Sequence, residues 1–241
     1  MERRLFRRAL KPLGFPEGAP GREKRLMNRS RAMLCALAAA ALLAACQSAY
    51  YKAMETFGQH KRDILISRVS KARDSQQEAK EQFQTALERF RSVVAFDGGA
   101  LEEKYETLNA EYKRSEARAN EVHQRVKDVE NVAEALFDEW ERELGEYENR
   151  ELKAKSEAKL RETRTHYEQL IGAMRRAEAK IDPVLRPLRD QVLYIKHNLN
   201  AQAIASLQAE LRGIEGDVDS LVREMEAAIA EADAFIQAMN Q

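Results

Sequence analysis

The chain has 241 residues, a third of them charged and only 7% aromatic, with a formal net charge of zero. That length admits one large domain or two small ones. The neutral balance hides an asymmetry: residues 1–45 hold ten Lys/Arg and three Asp/Glu, leaving 30 basic and 37 acidic residues in 46–241. A mildly acidic body lacks the basic face that nucleic-acid recognition needs, which argues against nucleic acid as a partner.

Arg3, Arg4, Arg7, Arg8 and Lys11 lie ahead of a Pro/Gly segment and fit no export signal. The expectation is that translation starts at Met27, the alternative being an unusually extended n-region. From Met27 the sequence reads MNRSRAMLCALAAAALLAACQS. Arg29 and Arg31 form a short basic region and Ala32–Leu43 an apolar run of a dozen residues, the layout of a cleavable signal peptide. A membrane-crossing helix needs about 20 apolar residues, so this run is read as a signal and not as a span.

The run ends in Leu43, Ala44, Ala45 and Cys46, which resembles the bacterial lipobox. The resemblance implies a diacylglycerol thioether on Cys46, cleavage before it, and a third chain such as palmitate on the new amino group. Each buried methylene contributes about 0.8 kcal/mol, so two or three chains anchor a protein durably where one does not. Gln47 stands where an aspartate would resemble an inner-membrane retention signal, which favours the outer membrane. Cys35 falls in the segment expected to be removed. No intramolecular disulfide can then form in 46–241.

Beyond the anchor, apolar residues recur every three or four positions, the period of a helix stripe. The first helix is expected over about 49–94, with the seam Leu65, Val69, Ala72, Gln76, Ala79, Phe83, Ala86, Phe90 and Val93. This heptad repeat predicts coiled-coil packing. Phe96-Asp97-Gly98-Gly99 stops the helix with two residues that take positive φ freely. The second seam is Leu101, Tyr105, Leu108, Tyr112, Ser115, Ala119, Val122, Val126, Val129, Ala133, Leu136 and Trp140. So short a turn between matched seams implies an antiparallel hairpin, with Ala49 opposite about residue 146.

The pattern fades over the charged stretch 145–161 and returns with Thr163, Tyr167, Leu170, Met174, Ala177 and Ile181. The second helix is expected over about 101–182, its continuity through the charged stretch left open, and it ends at Asp182-Pro183 because the residue before proline is pushed out of the α region. A third helix over 187–239 follows, from Leu188, Val192 and Ile195 to Phe235 and Met239. Mirrored about Pro183 it overlaps the second near Val126–Gly145, placing the thickest core at Leu136, Phe137 and Trp140. The fold expected is all-α: an elongated antiparallel coiled-coil, three-helix assembly after a lipoprotein signal peptide, with 1–45 as leader and 46–241 as the anchored domain.

His60, His123, His166 and His197 form neither a His-x-x-x-His pair nor the Glu-x-x-His pattern of di-iron bundles. Paired carboxylates on charged helices read as a solvated face. No phosphate loop, nucleophile elbow or Walker-type lysine occurs, so no catalytic residue, metal or cofactor is expected. The most unusual stretch is Lys196 to Gln202. Its His197, Asn198 and Asn200 can mark a helix break, a register-fixing hydrogen-bond layer or a partner site, and a register role is the leading expectation because one buried Asn suffices.

Several segments together resemble a known family. They are CQSAYY at 46–51, HKRDIL at 60–65, QEAKEQF at 77–83, FDGG at 96–99, LFDEWE at 136–141 and KHNLNA at 196–201. They are similar to a group of proteobacterial lipoproteins, the domain of unknown function 2959 family. The resemblance implies lipidation and a helical body and transfers no catalytic residue. The function expected is a non-enzymatic, membrane-tethered scaffold or spacer that binds envelope partners, with self-association left open. A periplasmic chaperone or transport-complex adaptor is the alternative.

Overall fold

A computed structural model describes residues 60–95, 101–198 and 201–240, and the side chains of 201–203 are not among those described. Cys46 and its lipobox, the glycine turn at 96–99, and Leu199 and Asn200 lie outside them. The described chain is all-α. Its five helices are α1 (Lys61–Ala95), α2 (Leu101–Leu144), α3 (Arg150–Ala179), α4 (Ile181–His197) and α5 (Ala201–Met239).

The seams predict most of what is buried, though Leu101, Tyr105, Tyr112 and Trp140 of the second are only half-buried. Every α1 seam position from Leu65 to Val93 is buried, as is the α5 run Leu207, Ile214, Val218, Leu221, Met225, Ala228, Ala232, Phe235 and Met239. Burying such a stripe stabilises a side chain by roughly 1.5–3 kcal/mol, well above its helix propensity. Packing of seams therefore holds these helices.

Ion pairs fix the register. Arg68 meets Asp128, and Arg118 pairs with Glu78, so α1 and α2 run antiparallel, as the short glycine turn implies. Arg73, Lys80 and Arg91 on α1 meet Asp233, Glu226 and Glu215 on α5. Steps of seven and eleven residues up one helix match the same steps down the other, so this pair is antiparallel as well.

The three-helix expectation is corrected by a break in the second helix. Gly145 and the residues up to Asn149 leave the helix, and Asn149 caps α3 by accepting the N–H groups of Glu151 and Leu152 at 2.9 and 3.1 Å. An Asn cap satisfies N–H groups that have no partner within the helix, so a new helix starts there and folds back on α2. The segment 101–182, read as one helix, is thus a hairpin of two.

The stop at Asp182-Pro183 is corrected too. The boundary falls at Lys180, whose φ −86° and ψ −11° keep it helical, and α4 begins at Ile181. Pro183 then sits in a first turn, where its missing N–H costs nothing. The third expected helix, over 187–239, is in turn two: α4 ends at His197 and α5 starts at Ala201.

Packing follows a closed ring: α1 on α2, α2 on α3 and α4, α3 and α4 on α5, and α5 on α1. With α3 and α4 joined through one helical residue, the ring amounts to four antiparallel rods, an up-down-up-down bundle. α5 does not lie along Val126–Gly145 as mirroring about Pro183 predicts. The early return at Gly145 places α3 there instead. At 1.5 Å per residue the longest single helix, α2, extends about 66 Å.

Candidate functional site

The densest side-chain chemistry gathers where α2 folds back into α3. Phe137 meets Tyr167 edge-on, with ring centroids 5.4 Å apart at 68°. The Arg164 guanidinium lies over the Phe137 ring at 5.0 Å and pairs with Glu141 at 2.8 Å. The electron-rich ring face attracts the cation. Trp140 donates its indole N–H to the Ser156 hydroxyl at 2.8 Å. Burial, followed by the nearby Glu130 carboxylate, pushes the Tyr167 phenol up to about 12.

Lys61 and Glu139, 2.7 Å apart, tie the first turn of α1 to this same pole of the bundle. The sequence reading anticipated a core at Phe137 and Trp140 but not its partners. Ser156, Arg164 and Tyr167 come from α3, which that reading did not bring alongside. Gly145 followed by Asn149 carries the signal that reveals the turn: a helix-ending glycine, then a capping residue ahead of Glu151.

Among the candidate polar residues, His123 Nδ1 lies 2.6 Å from Glu178 Oε1, bridging α2 and α3. His60 precedes α1, and its carbonyl accepts the Asp63 and Ile64 N–H groups. His197 is exposed at the end of α4. Asn198 is the α4 C-cap, donating its side-chain amide to the Tyr194 carbonyl at 3.0 Å. Asn198 thus stands at the end of α4 with a local bond, and Asn200, the other asparagine of the expected register layer, lies outside the described residues.

Polar side chains reach the core at other positions. Gln76 is fully buried with neither amide atom bonded to a protein partner, and the Ser115 hydroxyl and Gln191 carbonyl oxygen are likewise unpaired. Glu111, also buried, accepts from Gln82 at 2.9 Å and pairs with Arg114 at 2.7 Å.

A cleft between α3 and α5, bounded by Thr163, His166, Phe235 and Met239, offers only a water-sized space. Among the described residues no three His, Cys, Asp or Glu side chains converge as a metal-binding group. No described helix is long and apolar enough to cross a membrane.

The family model for DUF2959, a protein of unknown function, matches residues 50–239. The chain belongs to this family. The DUF2959 match covers the whole described bundle and begins past Cys46, so family membership carries the helical body and leaves the lipobox to be argued from its own residues. No curated protein matches the chain.

Proposed function

We propose that this DUF2959 protein is a non-enzymatic lipoprotein of the cell envelope. Acyl chains on Cys46 hold the bundle at the outer membrane, facing the periplasm, where it spaces or scaffolds partner proteins. The observation that carries the reading is Leu43-Ala44-Ala45-Cys46 at the end of a short apolar run preceded by Arg29 and Arg31. Two or three acyl chains suffice for a lasting anchor. The spacer role is supported by the length of the bundle, whose α2 alone extends about 66 Å.

In-cell cross-linking from exposed bundle positions tests the scaffold role. Discrete adducts with identified periplasmic or outer-membrane proteins are expected. They persist when His60, His123, His166 and His197 are replaced and vanish when Ala79→Pro breaks the α1 seam. Absence of any envelope adduct, or a function lost with a single histidine while the bundle stays folded, contradicts the proposal.

A further inference from the structure

The two poles of the bundle differ, and one of them receives the chain coming from Cys46. Lys61 opens α1 beside Glu139, five residues before α2 ends at Leu144, so the α2–α3 turn shares its pole. The last turn of α5 lies there as well, since Asp233 faces Arg73 near the start of α1. Two large apolar side chains stand out from this turn, Tyr147 (41% exposed) and Leu152 (52%), while the other exposed pair, Leu193 and Tyr194, lies in the far half on α4. They flank the Asn149 cap.

We infer that this pole rests on the bilayer surface, with Tyr147 and Leu152 as its contact residues; the inference builds on the acylation of Cys46. Fourteen residues separate Cys46 from Lys61, a length that spans at most about 50 Å when fully drawn out. α1 alone is about 52 Å long. The far pole therefore meets the bilayer head-on only with that segment stretched to its limit, whereas the near pole meets it with no stretch. A tyrosine, apolar in body and polar at its tip, suits the headgroup level.

Charge narrows the surface further. Glu143, Glu146, Glu148 and Glu151 outnumber Arg142 and Arg150 around the turn, so an anionic leaflet repels this pole and a zwitterionic one accepts it.

The test uses the chain from Cys46 onward, since residues from Met54 to Gln241 form a compact unit of their own. Coupling the Cys46 thiol to a maleimide-bearing lipid in phosphatidylcholine vesicles supplies a thioether tether whether or not cells acylate that cysteine. Failure of the docking and failure of the acylation reading are thereby separated. Trp140→Phe removes the single tryptophan, and Tyr147→Trp then reports on the near pole. Leu193→Trp reports on the far half, where α4 lies beside the early part of α2 and Arg189 acts on Tyr112.

With brominated lipids, Tyr147→Trp is expected to lose roughly half its emission, as a ring at headgroup level does, while Leu193→Trp keeps its own. Mixing in phosphatidylglycerol at low salt weakens the first effect. Equal quenching at both positions, or none at position 147, overturns the inference. Should Trp140→Phe unfold the turn, amide exchange of the unsubstituted chain decides. Slowed exchange at 145–152 on vesicles, with α4 unchanged, supports the inference, and unchanged exchange at 145–152 overturns it.

Discussion

Arg73 on the first described helix donates through Nη1 to Oδ1 of Asp233 on the last, at 2.8 Å, and it also grips Asp74. This contact closes the ring of helices across 160 residues of sequence. Hydrogen bonding to Asp233 and then Asp74 raises the arginine above its already high pKa. Both partners are partly exposed, so a double-mutant cycle of Arg73→Ala and Asp233→Ala is expected to yield a coupling of about 0.2–1 kcal/mol, shrinking in high salt. The pair sets register more than it sets stability.

The turn that converts three expected helices into four rods hangs on Asn149. Asn149→Ala leaves the Glu151 and Leu152 N–H groups without their acceptor. A loss of roughly 0.5–2 kcal/mol follows, read as a lower Tm and as faster amide exchange confined to the start of α3. Asn149→Asp, which keeps the acceptor, is expected to retain most of the stability.

Gln76 occupies an α1 seam position with its amide unpaired by protein. Burying such a group costs roughly 1–3 kcal/mol, so Gln76→Leu, similar in volume, is expected to raise the denaturation midpoint without changing helical content. A lower midpoint would show that the amide is paired in solution.

Gly213 and Gly216 sit on the exposed side of α5 with open space where a Cβ would be built. Each substitution by Ala is expected to stabilise the bundle by roughly 0.5–1 kcal/mol, because glycine loses more backbone freedom in a helix. Thermal unfolding of the single and double variants checks both the magnitude and its additivity.

Tyr167 titrates at about 12 in the fold against about 10 in an unfolded chain. Its folded pKa is raised, so the stability it contributes is complete below pH 10 and is lost as pH climbs from 10 to 12. Tyr167→Phe should flatten that part of the stability profile, measured by denaturant unfolding at several alkaline pH values. Partial exposure of the ring keeps the effect modest.

The seams of α1 and α5 were legible because apolar residues at steps of three and four admit one buried face, and Leu65 to Val93 all lie on it. The turn at 145–149 was hidden because charged residues surround it, so a fading stripe resembled a solvated stretch of one long helix. The boundary near Pro183 was misplaced by two residues. Proline disfavours helix in the residue before it, yet Ile181 and Asp182 restart the helix ahead of it. The aromatic cluster at Phe137 and Trp140 could be named but not completed, since Ser156, Arg164 and Tyr167 arrive only through that hidden turn.

Membrane anchoring through one thiol is tested most directly by labelling cells with a clickable palmitate analogue and separating their membranes. The wild-type chain should carry the label and travel with the outer membrane, and Cys46→Ser should be unlabelled and released from it. An unlabelled wild-type chain recovered from the cytosol would contradict the account.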